Sequence, residues 1–216
     1  MFARHDLIWL KPAAWDALCT AQAATLAALQ RWRDADWPLI VRRREPDTPD
    51  DIICAGIAVP PDADGTKLRI PLLIPASHIA HHRAPLALHE VLPALPERWH
   101  AAFDAFAEDA AAYDMRVYGS LALQALTGQP YLRDGSDIDI QFRPSSIQQL
   151  DEGSRLLASH LANLPLDGEI AFPNGRAVAW KEWHAARENT ARVLVKATGS
   201  VHLATTDSLR AALENA

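Results

Sequence analysis

The sequence predicts an α/β chain of the α+β kind in two parts: a small α+β N-terminal domain over 1–90, then a domain over 91–216 built as a mixed sheet with flanking helices. Three observations predict it. A helix-like stretch followed by several short apolar strands fills the first part, the pattern of a small antiparallel sheet with a helix against it. Strand-like and helix-like segments alternate through the second part. Between them, Pro85 to Pro96 is rich in Pro and Leu and reads as a linker or a poorly periodic helix-loop segment.

Pro12 opens the first helix, since proline suits the first helical turn. Trp15, Leu18, Cys19, Leu26, Leu29 and Trp32 recur at helical spacing and carry it to about Trp32. Trp37 to Val41 is a strand that ends in Arg42-Arg43-Arg44, and Asp47-Thr48-Pro49-Asp50 is a loop. Ile52 to Val59 and Lys67 to Ile74 are strands separated by a turn over Pro60 to Gly65. His78, His81 and His82 come nearest to a metal cluster, but they follow Pro75-Ala76 and read more simply as a loop or helix start.

Pro96-Glu97-Arg98 opens a helix whose stripe is Trp99, Phe103, Phe106, Ala110 and Tyr113. These aromatics are core at that spacing. Met115 to Tyr118 is a strand, Ser120 to Leu126 a short helix closed by Thr127-Gly128, and Asp137 to Phe142 a strand. Ser145 caps a helix carrying Ile147, Leu150, Leu157, Leu161 and Leu164. Glu169 to Phe172 is a strand, turned by Pro173-Asn174-Gly175-Arg176 into Ala177 to Trp180. Trp183 to Ala191 is helical, and Val193–Lys196 with Val201–Leu203 flank Thr198-Gly199 as a last hairpin.

The bulk numbers narrow the function. A chain of 216 residues with 49% hydrophobic content folds with a real core. Its apolar runs are short and broken by charge or Pro, so no membrane span is expected. Met1 to Lys11 carries Asp6 and no small-residue cleavage site, which makes the cytoplasm the default location. Cys19 and Cys54, the two cysteines, stand in apolar contexts without metal-ligand spacing. A net charge of −6 disfavours long nucleic acid as a partner but leaves room for a small anion on a local basic patch.

Two motifs carry chemistry. Gly119-Ser120 ends a strand and starts a helix, where backbone and hydroxyl donors can meet a phosphate. Alone it is also an ordinary strand-to-helix turn. Asp137 and Asp139 alternate with Ile138 and Ile140, so the carboxylates share one face of a strand whose other face is core. Two like charges that close repel unless a cation lies between them, which suits Mg2+ chemistry on phosphates. Glu169 is the expected third carboxylate and Asp167 its competitor, while Asp134 is a turn former beside Gly135. Arg133, Lys196 and the Arg42-Arg43-Arg44 run are the candidate cations for substrate phosphates. Three adjacent arginines repel without a counter-anion, and a two-domain enzyme with its site in an interdomain cleft would use such a patch.

The spacing Gly119-Ser120, Ser136-Asp137-Ile138-Asp139 and Glu169 resembles the nucleotidyltransferase superfamily related to DNA polymerase beta. A narrower resemblance lies in Arg4-His5-Asp6-Leu7-Ile8-Trp9-Leu10, Trp37-Pro38-Leu39-Ile40-Val41-Arg42-Arg43, Gly119-Ser120-Leu121-Ala122 and Leu126-Thr127-Gly128. Tyr131-Leu132, Ser136-Asp137-Ile138-Asp139 and Asp167-Gly168-Glu169-Ile170 extend it. Together they look like the MdcG family, the malonate decarboxylase holo-acyl-carrier-protein synthases, also called phosphoribosyl-dephospho-CoA transferases. The resemblance implies a nucleotidyltransferase-like fold for the C-terminal part and transfer of 2'-(5''-triphosphoribosyl)-3'-dephospho-CoA to a serine of the malonate decarboxylase acyl-carrier subunit, with loss of pyrophosphate. It implies Asp137, Asp139 and, less directly, Glu169 as Mg2+ ligands and catalytic carboxylates. It implies Gly119 and Ser120 as the phosphate-binding turn, beside which Arg133 and Lys196 would stabilise charge on the leaving pyrophosphate. Arg42 and Arg43 would meet either the triphosphoribosyl substrate or the carrier, since carrier proteins are often acidic. The competing readings are another Mg2+-dependent nucleotidyltransferase using ATP and a small acceptor, and a non-catalytic nucleotide sensor.

Overall fold

The computed structural model describes residues 2–21, 23–186, 192–197 and 199–214. The chain divides into two compact units, Met1–Pro85 and Leu86–Ala216.

In the first unit, strands β1 (Leu7–Leu10), β2 (Leu39–Val41), β3 (Ile52–Ala58), β4 (Arg69–Pro75) and β5 (Ile79–Arg83) form a sheet in the order β4-β3-β2-β1-β5. Neighbouring strands are antiparallel throughout. Ile8, Leu39, Val41, Ala55, Ile57, Leu72 and Ile74 bury one face of the sheet against α1 (Pro12–Ala21) and α2 (Leu26–Asp34), which add Trp15, Leu29 and Trp32 to the core. The single helix expected over Pro12–Trp32 is two helices with a 3-10 turn, Ala23–Thr25, between them. One straight helix there would run about 30 Å, longer than the ~23 Å of a seven-residue strand. The break lets both Trp15 and Trp32 reach the same core. Two strands escaped the sequence reading. β1 is only four residues long, and β5 carries the exposed His81, His82 and Arg83 at a sheet edge, where no face-to-face alternation shows. His78 ends a short 3-10 helix, Ala76–His78, as a helix start would place it, while His81 and His82 lie on β5, where His81 stacks on Trp9 at 4.6 Å between ring centroids.

The second unit holds β6 (Leu86–Ala87), α3 (His100–Asp109), β7 (Met115–Tyr118), α4 (Gly119–Thr127), β8 (Ile138–Phe142), α5 (Ile147–Ser159) and β9 (Leu166–Phe172). It continues with β10 (Arg176–Ala179), α6 (Trp180–Ala186), β11 (Arg192–Lys196), β12 (Val201–Thr205) and α7 (Thr206–Glu214). Among the described residues these strands make a seven-stranded sheet in the order β12-β11-β10-β9-β8-β7-β6. Each neighbouring pair is antiparallel except β8 and β9, which run parallel and are joined across α5. The fold is therefore a mixed sheet with flanking helices. Val117, Ile138, Ile140, Phe142, Ile170, Phe172, Val178, Val193 and Val195 line its buried face. Gly153 of α5 lets that helix lie directly on Phe142, whose ring stands 2.3 Å from where a side-chain carbon would be built. Trp183 of α6 packs on Phe172 at 5.3 Å.

Several boundaries move. The Pro85–Pro96 segment is strand β6 followed by a 3-10 helix, Leu88–Ala94. The helix after Pro96 begins with a 3-10 turn, Glu97–Trp99, before α3. The cap of α5 is Ser146, whose Oγ accepts from the Gln149 N–H at 3.1 Å, while Ser145 bonds the Gln149 side chain. Strand β9 starts at Leu166, not Glu169, because Leu166 pairs with Ile138. Of the helix expected over Trp183–Ala191, residues 187–191 lie outside the described residues, as does Thr198 of the last hairpin.

Candidate active site

The site grows from the end of β7. Tyr118 lies opposite Asp139 in the antiparallel register, and Gly119 then takes φ +71 to turn the chain into α4. That conformation is open to glycine and strained for other residues. It is also forced by space, because a carbon added to Gly119 would lie 1.9 Å from Asp139 Oδ2. The Gly-Ser turn and the second aspartate, read from the sequence as separate signals, are thus in contact. Gly119→Ala should therefore unseat the Asp139 carboxylate and reduce turnover by about tenfold or more, since a misplacement of about 1 Å can cost far more. Steady-state kinetics beside a melting curve checks this, and full activity with an unchanged Asp139 would sink it.

Register assigns the other carboxylates. Asp137 stands exposed one residue before β8. Across the parallel pair, Asp139 faces Asp167 and Gln141 faces Glu169. Side chains two apart on a strand share a face, and so do register partners. Asp139, Gln141, Asp167 and Glu169 therefore all stand on the face opposite the Ile138–Ile140 core. Asp167 is Asp139's immediate neighbour. Glu169 is one step further along, only 3% exposed, and accepts from Gln141 Nε2 at 3.4 Å. Gln141 Oε1 in turn accepts from Arg143 Nε at 2.9 Å, which makes a buried polar chain behind the open end of the site. Among the described residues no three His, Cys, Asp or Glu side chains converge on one metal position, so the expected trio Asp137, Asp139 and Glu169 is not drawn together. Asp139 and Asp167 remain a pair of hard oxygen donors. Mg2+ is commonly held by one or two carboxylates together with substrate phosphates, and that donor set fits it.

The basic residues are spread more widely. Arg133 is exposed in the turn before β8, where Ser136 N–H bonds its carbonyl at 3.0 Å and its own N–H bonds Ser136 Oγ at 2.9 Å. Lys196 pairs with Ala177, itself opposite Ala171, so it shares the carboxylate face. It lies two strands over and four residues along from Asp167, about 16 Å by ordinary strand spacings. The structure does not bring it to Asp139. In the first unit the arginine triple finds its counter-anions within its own loop. Arg42 Nη2 meets Glu45 at 2.7 Å, Arg44 Nη1 meets Asp50 at 2.8 Å, and Arg44 also donates to the Thr48 carbonyl. Arg43, between them, is the exposed one. A cation the sequence reading missed stands beside Asp167: Lys181 Nζ is 3.5 Å from its Oδ1. Its only sequence signal is its place just past the β9–β10 hairpin.

Among the described residues no helix is long and apolar enough to cross a membrane. Residues 3–85 match the family described as phosphoribosyl-dephospho-CoA transferase MdcG N-terminal domain, and residues 86–207 the corresponding C-terminal domain. The chain is 34% identical over 206 residues to a phosphoribosyl-dephospho-CoA transferase of Bradyrhizobium diazoefficiens, covering 93% of this chain and 88% of that protein. It is 37% identical over 203 residues to the protein so named in Xanthomonas campestris pv. campestris, covering 91% of each. The likeness to that of Xanthomonas axonopodis pv. citri is 32% over 211 residues and 94% of each chain. No solved structure matches significantly. These matches define a transferase enzyme. The chain belongs to the phosphoribosyl-dephospho-CoA transferase MdcG family.

Proposed function

We propose that this chain transfers 2'-(5''-triphosphoribosyl)-3'-dephospho-CoA to a serine of the malonate decarboxylase acyl-carrier subunit. The family match through both units carries this reading. The serine oxygen attacks the phosphorus attached to the ribose, a P–O bond to the outer two phosphates breaks, and pyrophosphate leaves. The serine proton passes to solvent or to a nearby carboxylate, and a phosphodiester joins cofactor to carrier.

We read the second unit as a nucleotidyltransferase-like fold, on the contact between the Gly119 turn and Asp139. Asp139 and Asp167, with Asp137 at the open end of β8, would hold Mg2+, which when bound neutralises triphosphate charge. Asp167 suits that task better than Glu169, because it is the register partner of Asp139 and is half exposed. Glu169, buried on Gln141, steadies the strand pair behind it. Ser120, beside the Gly119 turn, and the exposed Arg133, four residues before Asp137, can donate to phosphate oxygens. Arg43 is the exposed member of its triple and the one available to a phosphate or a carrier carboxylate.

The test is the intact mass of the purified carrier subunit after incubation with this enzyme, Mg2+ and triphosphoribosyl-dephospho-CoA, beside an Asp137→Ala control. A gain equal to the prosthetic group minus pyrophosphate, lost in the control, is the expected result. No gain, with pyrophosphate released from ATP and a small acceptor, would overturn the acceptor and leave a different nucleotidyltransferase.

A further inference from the structure

A cation that the motifs do not point to stands beside one of the two carboxylates. Strand β10 returns antiparallel to β9 with Ala179 opposite Glu169. Two more residues of the same register would set residue 181 opposite Asp167. The chain turns into α6 at Trp180 instead, yet Lys181 still arrives beside Asp167. Trp180 and Trp183 are fully buried and fix that first turn of α6. Lys181 is left at the surface, its Nζ 3.5 Å from Asp167 Oδ1 and 5.9 Å from the Trp180 ring centre. Asp139, Asp167 and Lys181 thus follow one another across the sheet face.

Stability does not account for this ion pair. The two side chains are 47% and 42% exposed, and such pairs contribute about 0–1 kcal/mol. What the placement does is set an ammonium at the rim of a cluster of carboxylates, where a polyphosphate and its counter-ion would meet. A lysine there acts as a point charge on phosphate oxygens. Charge builds on the departing phosphates as the P–O bond breaks, and a fixed cation beside them lowers the barrier.

We propose that Lys181 binds the triphosphate of the substrate and stabilises the leaving pyrophosphate, a role that rests on the function proposed above. In the ligand-free chain Asp167 holds the ammonium in place. With substrate present the same ammonium contacts the two outer phosphates, which leave together.

The experiment measures binding of inorganic tripolyphosphate by calorimetry in Mg2+ buffer, and in parallel the kcat and the KM values for cofactor and for carrier. Lys181→Gln should weaken tripolyphosphate binding and lower kcat/KM for the cofactor by about 10- to 100-fold, the range for losing one charge-assisted bond. The carrier KM and the melting temperature should hold. Lys181→Arg, which keeps the charge, should restore tripolyphosphate binding to within about threefold. Wild-type transfer with tripolyphosphate affinity and cofactor KM unchanged in Lys181→Gln overturns the role of Lys181 and leaves the function standing. Weakened tripolyphosphate binding in a chain that serves a different acceptor supports Lys181 and overturns the acceptor alone.

Discussion

Replacing Asp139 by Asn should lower carrier modification by about a thousandfold while leaving the fold in place. Asn keeps the outline of the carboxylate, so the close fit over Gly119, where a side-chain carbon would meet Oδ2 at 1.9 Å, is preserved. The charge is lost. On the proposed reading, Asp139 would help hold a Mg2+ that would supply several kcal/mol of charge stabilisation to the phosphate, and three decades of rate correspond to about 4 kcal/mol. Asp139 is the residue on which the Gly119 turn and the neighbouring Asp167 converge, so its loss cannot be covered by either. The fall should appear in kcat and should not be recovered by raising the carrier concentration. Circular dichroism should superimpose on that of the wild type. A variant with more than a tenth of wild-type turnover would show that the carboxylate pair is not where the chemistry occurs.

The largest structural effect is expected at Gly168. It sits inside β9 at φ +119, and a side-chain carbon there would lie 2.0 Å from the Ile140 carbonyl oxygen and 2.6 Å from the Ile140 nitrogen. Those neighbours are backbone, and backbone in a sheet cannot step aside as a side chain can. Gly168→Ala must therefore prise β8 from β9. Strain at positive φ costs about 1–2 kcal/mol, and overpacking adds about 1–3 kcal/mol. Against a total stability of about 5–15 kcal/mol this is a severe loss. The melting temperature should drop by about 10 °C, and the activity should go with it, because Asp139 and Asp167 ride on the two strands being separated. A melting temperature within about 2 °C of wild type would refute so close an approach of the strands.

The same glycine explains what the sequence hid. Asp-Gly before an apolar run reads as a turn, so β9 is expected to start at Glu169. In the structure Leu166 already pairs with Ile138, and the strand passes through Gly168 without a break. The choice between Asp167 and Glu169 depends on that register, and register between strands 28 residues apart leaves no local trace. The Ile138–Ile140 alternation did leave one, because a half-buried strand imposes period two on its own residues. Hence the Ile138–Ile140 strand and the Gly119 turn were legible, while the register neighbour of Asp139 was not. Lys181 was hidden for a similar reason: its closeness to Asp167 comes from the hairpin return of β10. The arginine triple is a different case. Its counter-charges, Glu45 and Asp50, stand within six residues and were visible, but a charge run draws attention outward before it draws it along the chain.

The parallel pairing of β8 and β9 bears on how the enzyme comes into being. A parallel neighbour needs a crossover, here through α5, so Asp139 waits for Asp167 until the chain has gone out over the sheet and returned. Such non-local pairing is slow compared with a hairpin. During synthesis the emerging polypeptide carries its motif long before it carries a working pocket. A nascent chain halted before Leu166 holds the Gly-Ser turn and both motif aspartates yet lacks β9 and its Asp167. Competence to handle the nucleotide therefore arrives late and all at once.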